Sequence, residues 1–451
     1  MKKINTIPFD NKRTPPKQNL FFTPFIWLLC WFWTKRYGLK IHKKNMKGLK
    51  PPYLVLGTHH SFMDFCVTPL TLFPHRANYV SELEGFEAYG EWFYRQLGCL
   101  GTRKFINDIH LVKNIQKVMK RNGILVLYPE ARYANVGTSS DLPVSVGKLI
   151  KLLKVPVVIV NMHGNYLQSP IWNLTYRKEA KLEATITQVL TADDVLNSSA
   201  EEILHTVKQH LSYDEYTWQA EKQMKITFKE RAKGLHLPLY QCPVCKTEFS
   251  MQSKDEILSC SHCGEAWEMD FYGKLKRLMH TDMINTDFVN NFINTESDNN
   301  FTNIDFDNYF SHIPNWYEWE RHQVEKEIDE SHYSLNCKVR IESLPNAVNF
   351  IDCGTGNLKH SNDGFYLSFQ DYGQSEEQTL FFSSKSLFSI HTEYDYRKKG
   401  QCITLSTNDN TYFLFPLEDG FNATKIQFAT EYLYKLSQKT SPVCSRRSKT
   451  C

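Results

Sequence analysis

The sequence predicts an α/β fold: a mostly parallel sheet with flanking helices, then a small zinc ribbon and a β-rich C-terminal unit. Three observations carry this expectation. Between residues 50 and 190, short continuous apolar runs alternate with helical patterns, as in parallel sheets covered on both faces. Two C-x-x-C pairs follow, at 242–245 and 260–263. Over 335–418, short alternating runs are separated by Asn, Asp and Gly turns. The chain has 451 residues, 41% hydrophobic and 23% charged, enough for several packed domains.

The amino terminus opens with a different signal. Residues 20–33, LFFTPFIWLLCWFW, are apolar and aromatic, and are flanked by Lys12, Arg13 and Lys17 before and Lys35, Arg36, Lys40, Lys43 and Lys44 after. Fourteen residues interrupted by Pro24 fall short of the roughly 20 a spanning helix needs. Trp33-Thr-Lys-Arg36 is not a signal-peptidase site. Interfacial aromatics flanked by cations suit a monotopic segment on an anionic membrane surface. A buried core helix with a solvated basic flank is the alternative. Residues 1–50 hold twelve Lys/Arg against one acid, whereas 278–330 hold twelve acids against two bases. The global net charge of +4 hides this segregation, and is too small to suggest a nucleic-acid partner.

In the α/β segment, Tyr53–Leu56, Gly123–Tyr128 and Val155–Val160 are expected strands, with Pro156 confined to the start of the third. Val146, Leu149, Ile150 and Leu153 share one helical face. Ser199-Ala-Glu-Glu202 is a capping box that opens a second helix. Polar residues gather where the strands end, which is where open α/β sheets build their sites. His59 and Asp64 have H-x4-D spacing just after the first strand, so an Asp one turn into a helix can orient the imidazole. The next strand ends in Tyr128-Pro-Glu130-Ala-Arg132-Tyr133, and Gly98-Cys-Leu-Gly-Thr-Arg103-Lys104 forms a basic turn. A guanidinium placed opposite a base suits an anion.

This order of blocks resembles the 1-acyl-glycerol-3-phosphate acyltransferase (PlsC-type) family over residues 45–215. Thr58–Asp64 is similar to its N-H-x-S-x-x-D block, and Gly98–Lys104 to its G-x-x-x-x-x-R block. Tyr128–Tyr133 resembles F-P-E-G-T-R-S, and Val155-Pro-Val-Val158 resembles V-P-x-x-P. Thr58 replaces Asn, the Glu-Ala-Arg block is one residue short, Arg103 comes one position early with Lys104 at the expected place, and Ile159 replaces Pro. The resemblance implies that His59 is the general base and Asp64 its orienting acid. It implies further that Arg132, with Arg103 or Lys104, holds the acceptor's phosphate, and that Glu130 belongs to the acceptor-binding block. The implied reaction moves an acyl group from acyl-CoA or acyl carrier protein to a lysophospholipid hydroxyl, 1-acyl-glycerol-3-phosphate above all. No covalent acyl-enzyme is implied, so Ser61 need not be a nucleophile. The shortened third block keeps a second reading open, a lipid-binding scaffold with little catalysis.

Cys242, Cys245, Cys260 and Cys263 form two knuckles that suit one structural zinc ion, four thiolates leaving no open position. His262 is a possible substitute ligand with poorer spacing. The other eight cysteines are scattered, which suits a reducing compartment. The Asn/Asp-rich stretch after the ribbon is expected to be a partly ordered linker, with a packed helix start at Asn315–Arg321. The strands of the tail with a helix over 420–437 resemble a pleckstrin-homology-like barrel. The expected divisions are a membrane-anchoring segment (1–48), the acyltransferase domain (49–235), the ribbon (236–275), the linker (276–332), the β-rich domain (333–440) and a tail (441–451). The expected setting is the cytoplasmic face of the cell membrane.

Overall fold

A computed structural model describes residues 5–278 and 306–440. Seven strands form the first sheet: β1 (Lys40–Lys44), β2 (Tyr53–Gly57), β3 (Asn78–Glu82), β4 (Cys99–Thr102), β5 (Ile124–Leu127), β6 (Val157–His163) and β7 (Glu183–Leu190). Their order is β1-β7-β6-β2-β5-β3-β4, and the five strands from β6 to β4 run parallel. β7 is antiparallel to β6, and β1 is parallel to β7. β2 is buried along its whole length, which explains why its sequence reads as one apolar run. Pro156 stands just ahead of β6, where it removes no ladder donor while its carbonyl still accepts from the Leu54 N–H at 3.0 Å.

One face of this sheet is covered by the helices Ile109–Lys120, Val144–Leu153 and Ala200–Leu211. Val146, Ile150 and Leu153 are buried, as their spacing predicts, and Ser199 and Glu202 form the reciprocal capping box. The Val144–Leu153 helix packs on the Ala200–Leu211 helix at Gly147, where a Cβ would lie 2.1 Å from the Ala200 carbonyl oxygen. The other face shares a hydrophobic core with the C-terminal sheet, in which Val55, Val126 and Val160 join Leu344, Cys402, Phe413 and Phe415.

The apolar amino-terminal segment is a helix, Phe22–Lys35, lying on the helix Asp64–Leu72. Only Thr23, Cys30 and Thr34 of it are buried, while Phe21, Phe25, Leu28, Leu29 and Phe32 at and within it are each more than half exposed. Among the described residues no helix is long and apolar enough to cross a membrane.

The ribbon is a four-stranded antiparallel sheet, β8 (Met251–Lys254), β9 (Ile257–Cys260), β10 (Ala266–Met269) and β11 (Leu275–Leu278). Of the acidic stretch, residues 279–305 lie outside the described residues. The remainder forms the helices Phe306–Phe310 and Ile313–Asp329, with Trp316 and Trp319 buried. Trp316 packs edge-on against Trp267 of the ribbon at 4.9 Å.

The C-terminal sheet comprises β12 (Leu335–Ser343), β13 (Ile351–Ser361), β14 (Gly364–Gln370), β15 (Glu377–Ser383), β16 (His391–Glu393), β17 (Cys402–Ser406) and β18 (Thr411–Pro416). All its pairings are antiparallel, in the order β15-β14-β13-β12-β18-β17-β16, and the helix Ala423–Thr440 follows. A bulge in β12 between Arg340 and Glu342 bends the sheet. It curls into a half-barrel whose end strands β15 and β16 do not pair with each other among the described residues. The resemblance to a closed barrel therefore holds for strand direction but not for closure.

Gly147→Ala should destabilise the fold by about 1–3 kcal/mol, because the added methyl has only backbone to push against. Urea unfolding measures this, and an unchanged midpoint would contradict the close helix contact.

Candidate active site and metal centre

β2 delivers its last residues to the carboxyl edge of the parallel sheet. The Thr58 N–H donates to the Val160 carbonyl at 3.1 Å, and its hydroxyl accepts from the Met162 N–H at 3.0 Å, so this Thr ties β2 to β6. His59 follows, and the chain turns into the helix Asp64–Leu72. Asp64 has no exposed surface, and four donors converge on its carboxyl. Oδ2 accepts from His59 Nδ1 at 2.9 Å, from the His60 N–H at 2.6 Å and from the Ser61 N–H at 3.1 Å. Oδ1 accepts from Asn165 Nδ2 at 2.7 Å. The acceptor is a carboxylate, so His59 carries its hydrogen on Nδ1 and keeps Nε2 as the basic nitrogen. Aromatic rings enclose the imidazole: Tyr128 stacks on it at 4.4 Å, Tyr133 lies at 4.5 Å and Phe65 stands edge-on at 5.7 Å. The His59 side chain remains 12% exposed.

The Glu130–Arg132 block packs against this base through its backbone, since the Ala134 N–H donates to the His59 carbonyl at 2.9 Å. Glu130 points elsewhere. It is buried, accepting from the Ser140 N–H at 2.9 Å and the Tyr213 hydroxyl at 3.4 Å, and burial pushes its carboxyl up to about 7. It braces the 139–141 loop.

The three candidate phosphate holders are all engaged by the C-terminal unit. Arg132 binds Glu431 at 2.8 Å and also the Ser389 hydroxyl and the Ile390 carbonyl. Arg103 donates to the carbonyls of Pro345, Asn408 and Asp409 at 2.6–3.0 Å. Lys104 pairs with Glu82 and donates to His391 Nε2 at 2.8 Å. Burial opposes the charge on Glu431, but Arg132 and Arg321 outweigh it and hold the carboxyl down at about 2.

Sequence reasoning missed Asn165, Ser389, His391 and Glu431. A Gly-Asn pair at the end of β6 was a usable signal for Asn165. None existed for Glu431, which lies 299 residues from Arg132. A second His–carboxylate pair also escaped notice. His163 Nδ1 meets Glu215 at 2.8 Å, and the other Glu215 oxygen accepts from the Gly164 N–H at 2.7 Å. Buried His60 lies under the electrostatic influence of both pairs, and burial lowers its basicity.

In the ribbon, Cys242, Cys245, Cys260 and Cys263 place their Sγ atoms within 4.8 Å of one another. Cys242–Cys263 and Cys245–Cys260 are each 3.7 Å apart. A tetrahedron with 2.3 Å zinc–sulfur bonds has edges of about 3.8 Å, so the four thiols fit zinc. His262 is not one of the four clustered groups; it lies beside Cys245, with its Nδ1 3.2 Å from the Thr247 hydroxyl. Such a site ties two turns together and offers no place for a substrate.

No protein-family model matches the chain, and no curated protein matches it. Among solved structures, the 1-acyl-sn-glycerophosphate (LPA) acyltransferase PlsC from Thermotoga maritima aligns with a TM-score of 0.35 and 15% identity, over 42% of this chain and 78% of that one.

Two outcomes are expected. Cys242→Ser should lower bound zinc from about one equivalent to none by elemental analysis and lower Tm, while a zinc-free wild-type protein of unchanged Tm would contradict the site. Glu431 is held below the ordinary glutamate value near 4.3, so its contribution of about 3 kcal/mol is complete above that pH and is lost as pH falls towards 2. The difference in urea-unfolding stability between wild type and Glu431→Gln should narrow across this window; a constant difference would contradict the ion pair.

Proposed function

We propose that the chain is a membrane-docked O-acyltransferase that moves a fatty acyl group from a thioester, acyl-CoA or acyl carrier protein, to the hydroxyl of a lysolipid. The observation that carries this reading is the His59–Asp64 pair, buried at the carboxyl edge of the parallel sheet with every Asp64 oxygen occupied. His59 Nε2 takes the acceptor's proton, and the alkoxide attacks the thioester carbonyl. The carbon–sulfur bond breaks as the ester forms, and the imidazolium returns its proton to the leaving thiolate. Asp64 fixes the ring and stabilises its charged form. No protein nucleophile is required, and Ser61 supports this by facing away: its hydroxyl donates to the Asn165 carbonyl at 3.0 Å.

The exposed apolar face of the Phe22–Lys35 helix supports docking at a lipid surface on the cytoplasmic side of the membrane. That helix lies directly on the helix that begins with Asp64, and Trp27 packs against exposed Phe73 at 4.9 Å. Lys35, Lys40, Lys43 and Lys44 flank the same region and suit anionic head groups. A lysolipid and an acyl chain that partition into the bilayer would thus reach His59 with little travel. The motif order alone points to 1-acyl-glycerol-3-phosphate as acceptor, with Arg132 and Arg103 or Lys104 as its phosphate holders, but all three side chains are engaged by the C-terminal unit.

Loss of the base should lower acyl transfer by about 10²–10⁴-fold in His59→Ala, with the fold and vesicle binding retained. Thiol release coupled to lysolipid acylation measures this. Undiminished transfer in the variant would reject His59 as base. Vesicle binding by wild type without any transfer would favour the lipid-binding scaffold.

A further inference from the structure

The three cations expected to hold a phosphate lie beyond two strand ends, Arg103 and Lys104 after β4 and Arg132 after β5, yet one structural unit meets them all. Ser389, Ile390 and His391 are consecutive, and they contact Arg132 at one end and Lys104 at the other. Asn408 and Asp409, in the turn between β17 and β18, cap Arg103 together with Pro345. Glu431 sits between Arg132 and Arg321, and Arg321 also pairs with Glu318 at 2.9 Å. Arg132 and Arg321 are therefore balanced by Glu431 and Glu318, and Lys104 by Glu82.

A movable plug would give the same contacts, but the packing speaks against one. The C-terminal sheet shares a continuous apolar core with the parallel sheet, through Leu344, Cys402, Phe413 and Phe415, and its last helix packs Phe428 and Ala429 into a second core with Ala134, Val136 and the Ile313–Asp329 helix. Large apolar interfaces hold domains in one arrangement, whereas polar ones permit relative motion. The unit is thus a fixed wall of the site.

We infer that this wall makes the acyl acceptor a monoacylated lipid with an uncharged hydroxyl-bearing head group, glycerol or sugar, and that Glu431 is the residue that excludes a phosphate monoester. This inference rests on the acyltransferase reading and alters only the acceptor; the proton path and the exchange of the carbon–sulfur bond for an ester stay the same. A phosphate monoester brings about −1.5 to −2 charge, and its place beside Arg132 already holds a carboxylate. Charges of the same sign brought together repel and so disfavour that acceptor. Glu82, whose side chain is 35% exposed and lies within the electrostatic reach of His59, offers oxygens that accept hydrogen bonds from hydroxyls and repel phosphate.

The test uses the full chain, acyl-CoA as donor, and either 1-acylglycerol or 1-acyl-glycerol-3-phosphate in phosphatidylcholine vesicles. Wild type should acylate 1-acylglycerol with a kcat/KM at least about tenfold higher, and Glu431→Gln should narrow that ratio by about tenfold. A wild-type preference for the phosphate acceptor overturns the inference, and this readout does not depend on the variant folding. If neither acceptor is acylated with acyl-CoA or with acyl carrier protein as donor, the acyltransferase reading fails and the inference falls with it, an outcome distinct from acylation of the phosphate acceptor.

Discussion

A carboxylate removed from water is stable only when each of its oxygens finds donors, and Asp64 imposes that condition on everything around it. Two of its donors come from the turn that precedes its own helix, one from His59 and one from Asn165 beyond β6. Meeting the condition requires the ends of β2 and β6 to lie side by side, which the parallel pairing and the Thr58 bridge ensure. The imidazole then has one orientation and one basic nitrogen. The same burial that makes Asp64 demanding makes His59 a defined base.

A second condition of the same kind governs the C-terminal unit. Arg103 and Arg132 are nearly fully buried, and a buried guanidinium without partners is strongly destabilising. Their partners come from the segments after β12 and before β16, from the turn between β17 and β18 and from the last helix, so the half-barrel completes the α/β sheet electrostatically as well as through the shared core. The ribbon joins the same assembly. Trp267 packs on Trp316, and the helix that holds Trp316 also carries Arg321, which closes the ion pair on Glu431. The cysteine cluster thus stands at one end of a chain of contacts that ends near the candidate base.

Much of this was legible because the relevant forces act over short stretches of chain. Continuous burial makes β2 and β6 read as apolar runs, and the Ser199–Glu202 box closes within four residues. His59 and Asp64 meet across a single turn, and each C-x-x-C pair presents its thiols within one knuckle. Composition marked the amino-terminal helix as apolar and aromatic, but only the packing decided that this face stays exposed rather than buried in a core. The curl of the last sheet was less visible, because it depends on a bulge at Arg340–Glu342 that alternation does not announce.

By itself, then, the sequence singled out the candidate side chains: a His–Asp pair, two thiol knuckles, and three cations at strand ends. It could not determine what those cations would face. Arg132 and Glu431 are separated by 299 residues, and no local pattern links them. Their pairing follows from which apolar surfaces of the two sheets fit together, and only the packed tertiary structure decides that. The consequence is chemical, since a cation that is an anion site when solvated becomes a neutral part of the wall once a buried carboxylate reaches it.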